Sequence, residues 1–227
     1  MSGMDPDLEL LDRWCAGDKA GGSALFKCYF DAVYRFFEHK VFGDVDDLVQ
    51  ETFLACVRRR DQFRRQSSFR TFVFAVARFE LYAYWRRRAR EGQVLDFSET
   101  SVAALITTPA SRMAREHDRD RMLQALRSLP LEQQLLLELH YWEQLDGERL
   151  AEVFDIAPAT VRTRLFRARA ALRERMEQID SALGLVPTSR VDFDEWVLSM
   201  RAGRRESGPD GAALASGASP GDTSDHS

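Results

Sequence analysis

Apolar residues recur at every third or fourth position through nearly the whole chain, and no alternating stretch is long enough for a strand. Such a chain can bury its apolar stripes only by packing helix against helix. Over residues 7–41 the stripe is Leu8, Leu11, Leu25, Tyr29, Val33 and Phe36/Phe37, with a break at AGDKAGG. Gly43 and Asp44 stop one helix and cap the next, DVDDLVQETFLACVRRR, whose apolar face is Val45, Leu48/Val49, Thr52/Phe53 and Cys56. RRQSS interrupts the pattern, and a long helix is expected from about Phe69 to Arg88, with Phe72, Val73 and Val76 in the core.

Residues 92–114 lose periodicity and turn to Ser, Thr and small side chains, the composition of a linker. Periodicity returns over Arg115–Leu129, breaks at Pro130, and resumes in LEQQLLLELHYWEQL, GERLAEVF and TVRTRLFRARAALRER. Beyond these lie a short amphipathic segment, VDFDEWVLSM, and a tail with the Gly/Ser/Pro/Asp composition of disorder. The expected architecture is all-α: helical domains at 1–91 and 115–180, a flexible linker at 92–114, and a mostly disordered extension at 181–227.

Several function classes are excluded at this point. No stretch has the apolar length of a membrane span, and MSGMDPDLELLDRW lacks a signal peptide's basic start and apolar core, so a cytoplasmic protein is expected. Cys15, Cys28 and Cys56 are odd in number and widely spaced, and His39, His117, His140 and His226 are scattered; neither set forms a disulfide framework or a metal pattern. No Gly-rich phosphate loop, nucleophile elbow or zinc helix occurs. The reading is of a non-enzyme with no catalytic residue, no metal, no cofactor and no small-molecule substrate.

GERLAEVFDIAPATVRTRLFRARA has the arithmetic of a helix-turn-helix. Ala151 is small where two helices must cross, Asp155 stands at the turn where glycine is common, and Pro158 suits a first helical turn. On the second helix Val161, Leu165, Ala168 and Leu172 form one buried stripe, which pushes Arg162, Thr163, Phe166 and Arg167 to the opposite side. Those residues are near the N-terminus, the end a recognition helix presents to base edges; arginine pairs with guanine, and a methyl or ring meets a thymine methyl. A solvated charged face would mix signs to form pairs one turn apart. Here Glu174 is the one acid among six arginines of Thr160–Arg175.

The net charge of −4 conceals opposed blocks. Residues 1–57 carry five Lys/Arg against eleven Asp/Glu, whereas residues 58–90 carry eleven Arg against Asp61 and Glu80. Screening confines each field to about 8 Å in physiological salt, so the two surfaces suit two different partners.

DVDDLVQETFLACVRRRDQFRRQSSFRTFVFAVARFELYAYWRRRAR resembles region 2 of sigma-70-type transcription initiation factors, and TVRTRLFRARAAL resembles region 4. With these two regions alone, joined by a short linker, the chain resembles an extracytoplasmic-function (ECF) sigma factor over roughly residues 7–180. The resemblance implies a promoter-specificity subunit whose partners are core RNA polymerase, through its β′ clamp helices and β flap, and promoter DNA. An anti-sigma factor is a further expected partner; membrane insertion is not expected.

Carried over residue by residue, Asp46, Asp47, Gln50 and Glu51 are the polymerase contacts, with Leu48 and Phe53 turned to the core. FRRQSSFRT matches the loop that captures a base flipped from the −10 element, Gln66, Ser67 and Ser68 supplying short hydrogen-bonding groups and Arg64, Arg65 and Arg70 meeting phosphates. Arg78, Tyr82, Trp85, Arg86, Arg87 and Arg88 are the candidates for strand and backbone contact on the helix that follows. Phe79 stands where many members have Asn, which points to an unusual −10 preference. At the −35 element the expected readers are Thr160, Arg162, Thr163, Arg164, Phe166 and Arg167. The alternatives are a helix-turn-helix regulator that binds operator DNA alone, and a helical scaffold with no DNA role.

Overall fold

A computed structural model describes residues 6–60, 63, 67–89, 94–105 and 118–185. The described residues form helices and connecting turns, with one isolated bridge between Ser101 and Pro130 and no strand. In order the helices are α1 (Pro6–Cys15), α2 (Lys19–Glu38), α3 (Val45–Arg58), α4 (Phe69–Arg88), α5 (Val102–Leu105), α6 (Asp118–Ser128), α7 (Leu131–Tyr141), α8 (Gly147–Phe154) and α9 (Pro158–Ala182).

The first four helices bury most of the stripes expected of them, around Leu25, Val33, Phe37, Leu48, Phe69, Val73 and Phe74, but Leu8 stands 49% exposed and Phe72 is half-buried. Phe69 is the hub, its ring meeting Tyr29 at 5.2 Å, Trp14 at 5.7 Å, and Phe26 and Phe72 each at 6.1 Å. The break near AGDKAGG is narrower than its glycines suggest. The chain turns at Gly17 (φ +92°), and Asp18 caps α2 by accepting the Ala20 N–H at 2.8 Å. Gly21 and Gly22 lie inside α2, where α1 crosses: a Cβ at Gly22 would stand 2.4 Å from Trp14 Cδ1, and one at Gly21 would stand 2.7 Å from Arg13 Cβ. Close crossing, not a helix stop, requires them.

A second correction concerns Asp44. It precedes α3 but its side chain makes no capping bond. Its φ and ψ of −105° and 27° are not the extended pair a side-chain cap uses. The carboxylate instead accepts the Tyr84 hydroxyl at 3.1 Å and pairs with Arg88.

The second half packs α6–α9 around Leu126, Leu131, Leu135, Leu139, Leu150 and Leu172. Asp180, fully buried, takes Arg121 at 2.6 Å and ties α9 to α6. The two halves share one continuous apolar core. Lys40, two residues past the end of α2, is buried against Glu138 of α7 at 2.5 Å and also donates to the Phe36 carbonyl at 2.5 Å. Arg127 donates to the His39 carbonyl at 3.2 Å, Arg70 pairs with Glu143 at 2.5 Å, and α8 lies against α4.

Part of the connecting segment is structured as well. Residues 96–100 turn about Asp96, whose carboxylate accepts the Ser98 N–H at 2.9 Å, and α5 buries Val102. The carbonyls of Phe97 and Thr100 accept the N–H groups of Glu132 and Leu131 at 3.0 and 2.9 Å. These donors open α7 and have no intrahelical acceptor, so the segment is clipped to the second half by bonds the helix end needs. The C-terminal extension, including VDFDEWVLSM, lies outside the described residues.

Candidate nucleic-acid interface

The helix-turn-helix forms as its residues dictate. Asp146 caps α8 by accepting the Arg149 N–H at 2.9 Å. Asp155 takes the left-handed conformation (φ 55°, ψ 50°), which the turn requires and which Asp tolerates better than most side chains. Pro158 occupies the first turn of α9, where no N–H is missed. Val161, Leu165, Ala168 and Leu172 are buried in one stripe. Arg162, Thr163, Phe166 and Arg167 stand exposed, Phe166 at 73%. An aromatic ring so exposed between two arginines leaves an apolar and cationic face in the open, the chemistry a major groove accepts. Thr160 is half-buried, and Arg164 turns inward to Glu132 at 3.0 Å, so the structure separates these two from the outward four.

On α3 Asp46, Asp47, Gln50 and Glu51 are all exposed, whereas Leu48 is buried and Phe53 stacks on Phe26 at 5.0 Å. Glu51 also faces Arg87 of α4 at 3.3 Å. Glu80, one turn and a half back from Arg86 on α4, has its pKa raised by burial first and by Glu51 second.

Of the −10 candidates, Arg64, Arg65 and Gln66 lie outside the described residues. Ser67 is half-buried, and Ser68 caps α4 by accepting the Thr71 N–H at 3.1 Å. Arg70 is committed to Glu143. Arg78 lies over the rings of Tyr82 and Phe154 at 5.3 and 5.2 Å. Tyr82 and Trp85 are buried, and burial pushes the Tyr82 hydroxyl pKa up to about 12. Arg86, Arg87 and Arg88 are exposed, the last two facing Glu51 and Asp44. Phe79 is exposed beneath the Arg59 guanidinium at 4.9 Å.

The structure thus leaves the outward side of α9 and the acidic side of α3 accessible, and covers one face of α4 with α8 and the connecting segment. Sequence reasoning did not find the residues that cover it: Phe97, Glu143 and Phe154. The available signal was Phe97 itself, an aromatic ring within a stretch otherwise read as linker. Among the described residues no group of His, Cys, Asp and Glu could hold a metal ion, and no helix is long and apolar enough to cross a membrane.

Models of sigma-70 region 2 and sigma-70 region 4 match residues 25–91 and 119–172. The ECF RNA polymerase sigma-E factors of Salmonella typhimurium (strain LT2) and Escherichia coli (strain K12) are each 29% identical over 188 residues, 79% of this chain and 98% of theirs. That of Haemophilus influenzae is 27% identical over 182 residues, 76% of this chain and 96% of its own. Two solved structures share the fold. CnrH in complex with the cytosolic domain of CnrY has a TM-score of 0.54 at 21% identity over 74% of this chain and 95% of that one. The sigma factor RpoE of Bartonella quintana, in complex with the anti-sigma factor NepR, gives 0.52 at 23% identity over 67% and 94%. Both sigma regions occur here in the order and spacing the helices require, and the chain belongs to the extracytoplasmic-function group of sigma-70-type factors, which direct promoter-specific transcription.

Proposed function

We propose that this chain is a non-enzymatic, cytoplasmic promoter-specificity subunit built as two sigma domains, 1–91 and 115–180. The acidic face of α3 (Asp46, Asp47, Gln50, Glu51) docks on the β′ clamp helices of core RNA polymerase. The loop from Arg64 to Ser68 and the α4 face bearing Arg70, Arg78, Tyr82, Trp85, Arg86 and Arg87 engage the −10 element as it opens. The outward face of α9 reads the −35 element in the major groove while the second half meets the β flap. The observation that carries this reading is the exposed Arg162–Thr163–Phe166–Arg167 face of α9, which no intramolecular packing requires.

Reach is consistent with the proposal. While Phe97 and Thr100 stay bonded to α7, the tether between the halves is residues 89–96, roughly 26–29 Å when extended; once those bonds part, the 23 residues from 92 to 114 span at most roughly 75–80 Å. The two promoter elements lie about one and a half duplex turns apart, on the order of 50–55 Å. With α8 against α4 the second half covers part of the proposed −10 face, so the halves separate when the promoter is engaged. An anti-sigma factor is a fitting regulator, since both fold neighbours named above were solved with a partner of that kind or a cytosolic domain bound.

Run-off transcription with core polymerase tests the reading: transcripts from native promoters should depend on this chain, and their absence from every promoter tried refutes it. A stand-alone regulator would instead bind its operator tightly without polymerase. Arg162→Ala or Arg167→Ala should cost about 1–3 kcal/mol at a single −35 position if the contact is to a base, read by competition among promoter variants. An equal loss on all variants would mark a phosphate contact. Asp47→Ala should weaken core polymerase association in a pull-down titration while leaving duplex binding by the second half intact.

A further inference from the structure

We propose that the ring of Tyr82, flanked by Arg78 and Arg86, is a seat for one unpaired nucleobase, and that Phe97 of the chain's own connecting segment fills it while the halves are closed. The proposal rests on the reading of α4 as the strand-facing helix.

Phe97 lies flat on Tyr82, ring centroids 4.3 Å apart and planes 18° from parallel. Arg86 stands over both rings, 5.8 Å from Tyr82 and 5.4 Å from Phe97, and Arg78 approaches Tyr82 at 5.3 Å. A flat ring stacked on an aromatic and bordered by guanidinium groups is the arrangement in which proteins hold single-stranded bases. Phe97 reproduces only half of it. The Arg78 Nε and Trp85 Nε1 are buried without a hydrogen-bond partner among the described residues, and the buried Tyr82 hydroxyl has the Arg78 guanidinium beside it and no well-aligned acceptor. Positions 78, 82 and 85 fall on one helical face. A phenyl ring gives these groups nothing to donate to, and leaving buried donors unpaired is costly. A nucleotide would bring the same flat face together with base-edge and phosphate oxygens.

The attachment of Phe97 decides when the seat empties. Its carbonyl is held by Glu132 and that of Thr100 by Leu131, both at the start of α7. The ring therefore travels with the second half, and drawing the halves apart lifts it off Tyr82. Opening of the chain and exposure of the seat become a single event.

The test uses the full chain and a short oligothymidylate carrying one 5-iodouracil, which on irradiation cross-links to the aromatic ring it stacks on. Phe97→Ala should tighten binding of the oligonucleotide about tenfold by fluorescence anisotropy and raise the cross-link mapped to Tyr82 by peptide mass spectrometry. Adding Tyr82→Ala should abolish both gains. Should Phe97→Ala fail to fold by circular dichroism, Phe97→Leu keeps apolar bulk while removing the flat face and carries the same expectation. Unchanged or weaker binding by a folded variant, or a cross-link mapping away from α4, overturns the proposal. Run-off transcription by the parent chain separates the two levels: transcripts without the Tyr82 cross-link reject the base seat alone, and loss of both rejects the sigma reading beneath it.

Discussion

Glu138→Ala should lower the free energy of unfolding by about 3–5 kcal/mol, the cost of stranding one member of a buried ion pair. Lys40 is 1% exposed, its ammonium held by the Glu138 carboxylate and the Phe36 carbonyl, each at 2.5 Å. Gln134 steadies the same carboxylate through its Nε2 at 2.9 Å. Without Glu138 the ammonium remains buried between α2 and α7 and has lost the carboxylate that neutralises it. The closed chain must then expel the proton or let water in by parting its halves. A lower urea midpoint at unchanged slope would report the first, and a changed slope with a longer distance between fluorescent labels on the two halves would report the second. The double substitution Lys40→Met/Glu138→Leu should recover part of the loss, because it leaves no buried charge unpaired, while Gln134 Nε2 still loses its acceptor. An unchanged midpoint in Glu138→Ala would contradict the burial of the pair.

Phe69→Ala should cost about 3–5 kcal/mol, as expected for a large buried ring whose surroundings cannot collapse into the space. Four aromatic neighbours from α1, α2 and α4 converge on it, and Trp14 is itself wedged against Gly22, so none can move in without disturbing the α1–α2 crossing. The consequence is functional as well as thermodynamic. Phe69 immediately follows Ser68, the cap of α4, so loosening it frees the end of the loop proposed to take the flipped base. Melting followed separately by tryptophan fluorescence and by helix content should show the first half failing before the second. A variant as stable as the parent would mean the cluster repacks, contrary to its geometry.

What was legible in the sequence was what local rules govern. The stripe Val161–Leu165–Ala168–Leu172 is set by helical period alone, and the structure buries all four. Asp155 could be read as the turn residue because the helix-turn-helix spacing fixes its position, and its left-handed conformation follows. The family could be read because two motifs lie in a defined order. Misread features depended on a distant partner. Gly21 and Gly22 looked like a helix break until Trp14 and Arg13 were found against them. Asp44 looked like a cap, but Tyr84 and Arg88, forty residues on, claim its carboxylate. Tyr82 and Trp85 were placed on the strand-facing side of α4, and neither composition nor period could announce that Phe97 and α8 would cover that side. Lys40 sits just past a helix and Glu138 within one, both ordinary positions, and only the closure of the two halves makes a pair of them.

The unequal accessibility of α3 and α4 has a consequence for how the free protein is distributed in a cell. A genome is an enormous sink for any exposed cationic surface, since non-specific binding grows with each phosphate contacted. In the closed chain Arg70, Arg87 and Arg88 are turned to carboxylates, Arg78 is half-buried against Tyr82 and Phe154, and the acidic residues of α3 stand in the open. Such a molecule offers bulk DNA little through the covered face of α4, keeps the outward face of α9 open, and holds its proposed polymerase contacts ready. On the proposed reading, contact of the α4 face with DNA is thereby deferred until the halves part, and the α9 face is left as the main cationic surface that the free protein presents to the chromosome.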